Sequence, residues 1–377
     1  MLAVLLLACN GRNGKVSDRS VLINETDVIE SDSSIFDCIL DSWEAVYLDD
    51  SSTDALLGNI MKVQYDDGLF FIESMSGHTQ QHIFKVFDKE GRYKNDISRP
   101  GRARGEYVGN ITWTLDPERN EVAIVVIGNP YTVKYFDYEG NFLRIVESNT
   151  LPETFADGRI AHMMSDGSIL MESLFGMVPT NDLVAIHSDG SADSIVPMSS
   201  CKLSQESGFS TNFGKRYLDS QNGETWFMRA LDNRLYKSSG SGQAECVASL
   251  AFLEEPSESD KLNYEISWLW DSEHAHLDIF MNMKDMLLFT YGTRKAGVWH
   301  MYDKKSGAVH RYANTATNLV AMPQLKEIGV YDNTIIGTYM PGLNGNDQEL
   351  NSPELEAFYS RASESDNPTL VLYHFKK

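Results

Sequence analysis

Three arginines stand close together in the run Arg99-Pro100-Gly101-Arg102-Ala103-Arg104-Gly105-Glu106-Tyr107. A guanidinium fork binds carboxylate, sulfate or phosphate through two parallel hydrogen bonds, so Arg99, Arg102, Arg104 and Tyr107 are candidate ligand-binding residues. The run is conspicuous because the chain holds 54 Asp and Glu against 32 Lys and Arg, a formal net charge of −22. The same surplus supplies a second reading, in which the segment is a structural connection whose arginines pair with acidic neighbours. A second group gathers in the stretch from Phe252 to about His276, where Trp268, Trp270, His274 and His276 lie near one another. Indole rings can stack on sugars. His274, His276 and Asp278 alternate along one strand face, which is a possible ligand spacing for a metal. No cysteine partner and no second histidine-rich segment supports that site, so no metal is assigned, and packing or plain surface remains the alternative to sugar stacking. Arg294, in Gly292-Thr293-Arg294-Lys295-Ala296-Gly297, is a further candidate, with a solvated loop as its alternative. His78 and Tyr131 are weaker ones.

Several chemistries leave no trace. There is no G-x-S-x-G, no H-E-x-x-H and no glycine-rich phosphate loop opening a helix, so no catalytic residues and no cofactor are assigned. The acidic balance lacks the electrostatic footprint of a nucleic-acid binder and repels an anionic membrane surface. The four cysteines, Cys9, Cys38, Cys201 and Cys246, contain no C-x-x-C pair and read as unpaired apart from Cys9.

The elements that must carry these residues are short strands joined by regular turns. Ile60–Tyr65 and Leu69–Ile72 flank Asp66-Asp67-Gly68, a strong hairpin signal; His82–Phe87 and a run through Ile97 flank Asp88-Lys89-Glu90-Gly91. The second turn recurs at Gly91, Gly140, Gly190 and Gly240, at intervals of 49, 50 and 50 residues, and again at Gly307 after an insertion. The first recurs independently at residues 66–68, 116–120, 165–167, 220–223, 284–285 and 332–333. Two turn series in phase, four strands per unit and a period near 50 residues predict an all-β, six-bladed β-propeller with four antiparallel strands per blade. The last unit lacks a fourth strand, while Trp43–Leu48 lacks a unit of its own. Their pairing would complete the last blade with an N-terminal strand and remove an exposed edge. The acidic stretches Glu254–Asp260 and Glu349–Asp366 read as solvated loops.

The chain resembles the six-bladed β-propeller lipoproteins of Gram-negative bacteria, relatives of NHL-type propellers. The segments that carry the likeness are Asp41–Leu48, Leu57–Val63, Gly101–Tyr107 and Asn367–Tyr373. Ala103-Arg104 departs from the Gly-Pro usual in relatives. Leu6-Leu7-Ala8-Cys9 likewise resembles the lipobox of bacterial lipoproteins, in which the cysteine is acylated. The expected organisation is a signal peptide over 1–9 ending at the lipidated Cys9, a flexible polar tether over 10–38, and a propeller over 39–377. The expected location is the cell envelope, on the outer membrane facing the periplasm. Loops over a rigid scaffold carry binding residues. The expected function is therefore a module that binds a protein, peptide or glycan through its irregular loop face. The alternative is a propeller lyase or hydrolase, with a dispersed, metal-dependent site at the central channel.

Overall fold

The computed structural model describes residues 15–75, 81–128, 130–148, 158–173, 181–197, 218–221, 223–228, 233–238, 243–253, 276–293, 296–313, 329–340 and 353–376. Six sheets stand in a ring; three run in sequence order from the channel outward, and the other three carry an N-terminal strand at the outer edge. Blade 1 is Asn59–Asp66, Leu69–Met75, His82–Asp88 and Tyr93–Ser98. Blade 2 is Ile111–Asp116, Glu121–Val126, Tyr131–Asp137 and Phe142–Ser148. Blades 3, 4 and 5 begin on the inner strands Gly158–Met163, Leu218–Gln221 and His276–Asn282. Blade 6 combines Gly329–Tyr331, Thr334–Tyr339 and Thr369–Phe375 with the N-terminal strand Leu40–Tyr47 as its outer edge. The expected clasp is thus formed, with Tyr373 opposite Trp43 and Thr369 opposite Tyr47. In blade 1 the second strand is the most buried; Phe70, Phe71 and Ile72 are all covered, because both of its faces meet a neighbouring blade.

The glycine period has a packing cause. Gly91, Gly140 and Gly190 all have φ near +84°, which glycine adopts without steric cost. A Cβ on each would also stand under 3.0 Å from a carbonyl oxygen on the outer strand of the preceding blade, namely those of Tyr47, Asp96 and Glu147. The turn between third and fourth strands is therefore the point where each blade seats against the one before it.

The N-terminal segment differs from the expected tether from residue 15 onward. Lys15–Ile23 adds a fifth strand, parallel, to the outer strand of blade 4, and Ile29–Ser31 does the same on blade 5. Helix α1 (Ile35–Ile39), capped by Ser34, then turns the chain into blade 6. The segment is too polar to order itself, but here it borrows a ready ladder and buries Ile23 and Val28 in the cluster between blades 4 and 5. Arg311 fastens it, with Glu25 held bidentately at 2.5 and 2.8 Å and Glu30 at 2.8 Å. The segment is a strap around the rim rather than a free chain. Residues 1–14, with Cys9, lie outside the described residues.

A second difference lies in the acidic stretch before the last strand. Helix α2 (Pro353–Ala362) forms there, with Glu354 and Glu356 in its first turn and Arg361 in its last, the arrangement that complements the helix dipole. Phe358 and Ala362, four residues apart, share its buried face, and Phe358 packs edge-on against Trp43 at 5.7 Å and Tyr339 at 5.3 Å. Charge density suggested a loop, but apolar spacing settled the matter. Cys38 and Cys246 are free thiols. Among the described residues no helix is long and apolar enough to cross a membrane.

Candidate functional site

The loop from Arg99 to Asn110 leaves the outer strand of blade 1 and enters the inner strand of blade 2. Its shape is set by Glu106, whose carboxylate accepts from Arg99 Nε and from the backbone N–H of Ala103, both at 2.9 Å. These bonds, the backbone one foremost, hold the Glu106 carboxyl below the usual carboxylate range. A Cβ at Gly101 would meet that carboxylate, so a larger residue there would have to displace the Glu106 side chain from its bonds. Lys134 of blade 2 braces it from below, donating to the carbonyls of Arg104 and Glu106. Arg104 lies over the Phe142 ring, 5.2 Å from its centroid.

The three arginines therefore have separate fates. Arg99 is committed to Glu106 and Arg104 to an aromatic face. The Arg102 side chain is exposed and has no hydrogen bond or ion pair among the described residues. It lines a cleft of about 330 Å³ together with Gln81, His82, Pro100, Gly101, Tyr107, Val108 and Gly109. Tyr107 is buried, and its hydroxyl donates to the His82 carbonyl, which ties the loop to the third strand of blade 1. Burial first, and the Glu73 charge second, push its phenol upward, so it stays a neutral donor.

His82 is the member that sequence reasoning did not single out. Its Nδ1 meets Glu73 Oε1 at 2.5 Å, and the other carboxylate oxygen of Glu73 accepts from Trp113 Nε1 at 2.7 Å. Glu73 is 7% exposed, so the carboxylate is buried but has a partner for each oxygen. The hydrogen bond from Glu73 raises the His82 pKa above 6.5, against the opposing effect of burial. Lys62 Nζ sits 4.9 Å above the Trp113 ring and donates to the Trp113 carbonyl at 2.5 Å. Glu73 and His82 lie on neighbouring strands nine residues apart. Such a pairing is a matter of register, and the chain offered no local motif for it.

A second concavity, of about 500 Å³, opens on the opposite face at the mouth of the channel. It is built from the first turn series and carries Asp66, Asp67, Asp116, Glu118 and Asp332. Asp116 is neutralised by Arg119 at 2.6 Å, Asp66 accepts from Tyr138 at 2.7 Å, and Tyr65 meets Tyr331 at 4.2 Å between ring centroids. The first contact lies within the blade 2 turn; the second joins blades 1 and 2, and the third joins blades 6 and 1 where the ring closes. The signal was present in the acidic residues of the first turns, which sequence reasoning used only for their turn chemistry. No group of three His, Cys, Asp or Glu is placed to hold a metal among the described residues.

Of the other candidates, Trp268, Trp270, His274, Arg294 and His78 lie outside the described residues. His276 opens the inner strand of blade 5, and Tyr131 is a buried core residue.

Residues 21–374 match the family described as a domain of unknown function, DUF4934. A crystal structure of a candidate exported protein from Bacteroides fragilis is similar at 17% identity and a TM-score of 0.67, covering 95% of this chain and 100% of that one. A DUF4221 family member from Bacteroides vulgatus is similar at 10% identity and a TM-score of 0.54, covering 89% and 97%. At these identities the likeness is one of fold. No curated protein matches the chain.

Proposed function

The chain belongs to the DUF4934 family, and we propose that it is a ligand-binding module of the cell envelope that works through the cleft between blades 1 and 2. The observation that carries this reading is the uncommitted Arg102 guanidinium at a cleft of about 330 Å³ beside His82, whose ring is oriented by Glu73. Preformed concavities with a few convergent polar groups are the usual form of small-ligand sites. The loop over it is braced at Glu106, Lys134 and Tyr107, so little ordering cost falls on binding.

The envelope location rests on the lipobox-like Leu6–Cys9 and on the likeness to an exported protein's fold. With a lipid at Cys9, only Asn10–Gly14 separate the anchor from the strap. Six peptide steps reach at most about 20 Å, so the rim of blade 4 would lie near the membrane and both faces would stand open to the side. The test is a thermal-shift panel of small organic acids, short peptides and oligosaccharides on the full-length protein. A ligand that stabilises the wild type should lose its effect in Arg102→Ala and keep it in the channel-mouth variant Asp332→Asn. The opposite pattern would move the site to the channel mouth and sink the proposal.

A further inference from the structure

Two side chains at the cleft that can carry positive charge keep a donor after the bonds among the described residues are counted, and the exposed Gln81 carboxamide lines the same cleft. Arg102 offers its whole guanidinium fork. His82 uses Nδ1 on Glu73, which leaves Nε2, with no partner among the described residues, as the ring's second position. We propose that the cleft takes a single carboxylate flanked by a short apolar group, as at the C-terminus of a peptide, held by the Arg102 fork and by Nε2–H of a protonated His82. This inference rests on the cleft being the binding site and names what it selects.

Charge, shape and wall chemistry argue for that ligand. The His82 cation is balanced by Glu73 and Arg99 is balanced by Glu106, so among the lining groups one positive charge, that of Arg102, is unbalanced. One charge matches a carboxylate better than a dianionic phosphate, and the fork matches its two oxygens. The walls beside the donors are Pro100 and the exposed Val108, while Gly101 and Gly109 contribute no side chain. No exposed aromatic face lies in the described cleft for a sugar ring to stack on, since Tyr107 is 4% exposed. A C-terminal residue with a small aliphatic side chain fits both parts.

Glu73 is then a positioning residue. With the imidazole oriented by Glu73 through Nδ1–H, the protonation state of Nε2 decides what the cleft presents: a donor in the imidazolium and a lone pair in the neutral ring. Glu73 on the adjoining strand bonds the ring, Tyr107 bonds the His82 backbone carbonyl, Arg102 lines the same cleft, and Trp113, under the Lys62 ammonium, holds the other oxygen of Glu73. Asp96, on the outer strand, is engaged by Lys85. A peptide carboxylate titrates near 3.5, so it is charged throughout the useful range. Affinity should be full in the mildly acidic range and fall as pH rises through the raised His82 pKa.

The experiment is calorimetric titration of the full-length protein with acetyl-Ala-Ala-Leu as the free acid, its C-terminal amide, and glucuronate, between pH 5.5 and 9. The acid should bind at least about tenfold tighter than the amide, and Arg102→Ala should erase that preference. His82→Gln should weaken the acid about tenfold below neutrality and flatten the pH profile. Glu73→Gln should move the midpoint of the profile to lower pH. Equal binding of acid and amide, lost in Arg102→Ala, would keep the cleft as a site and overturn the carboxylate assignment. A wild-type pH profile in His82→Gln would overturn the role of Nε2. Glucuronate bound with the same Arg102 dependence, and the tripeptide not bound, would overturn the peptide end. Tripeptide binding unaffected by Arg102→Ala would refute both this inference and the reading of the cleft beneath it.

Discussion

Replacing Gly140 with alanine separates two costs that the fold imposes on the same residue. Its φ of +84° is left-handed, where an L-residue loses about 1–2 kcal/mol. Its new Cβ would also stand under 3.0 Å from the Asp96 carbonyl of blade 1, an atom held in a backbone and unable to swing aside. Reaching ordinary contact requires the two blades to part, and overpacking of this kind costs about 1–3 kcal/mol more. Gly68 is the internal control. It has φ of +76° with nothing within 4 Å of its Cβ, so Gly68→Ala carries only the backbone part. The loss of chain entropy in the unfolded state is common to both variants and cancels. Urea unfolding should therefore place Gly140→Ala about 1–3 kcal/mol below Gly68→Ala, and Gly91→Ala should follow Gly140→Ala. If Gly140→Ala and Gly68→Ala agree within about 0.5 kcal/mol, blade seating is not what the glycine period records.

Two other perturbations probe the closure of the ring and its titration. The Asn367 side chain accepts from the Leu57 N–H at 2.7 Å and donates to the carbonyls of Asp49 at 2.6 Å and Ala55 at 3.0 Å, tying the loop after the clasp strand to the last blade. Asn367→Ala leaves three backbone groups without that partner and should cost about 2–4 kcal/mol in the same assay. His300 is stacked between Phe252 and Phe289 and held neutral, burial pushing its pKa down to about 4. The unfolded imidazole binds its proton near 6.5, so the unfolded state takes up more protons in between. Stability should fall by up to about 3 kcal/mol as pH drops from 6.5 to 4, and His300→Phe should flatten that slope in pH-dependent thermal melts.

Much of the architecture was legible because the turn chemistry is local. Asp66-Asp67-Gly68 and Gly91 each announce themselves within four residues, and repetition supplied the rest. The clasp was legible by elimination, since Trp43–Leu48 and Thr369–Phe375 each lacked what the other provides. The strap was not, because parallel pairing of Lys15–Ile23 uses no hairpin and its order is borrowed from blade 4. The site was half legible. The arginine cluster drew attention to the loop, but which arginine is spent depended on Glu106 and Phe142, and those contacts exist only after folding. His82 was invisible because its partner Glu73 is set by the strand register, not by spacing.

Hydrogen–deuterium exchange on the full-length protein, with and without the solute that gives the largest thermal shift, tests the cleft most directly. Slower exchange at residues 81–84 and 99–110, with the channel mouth at 64–67, 114–118 and 330–332 unchanged, is the predicted result. Slowing confined to the channel mouth would contradict it and place recognition on the acidic face of the ring.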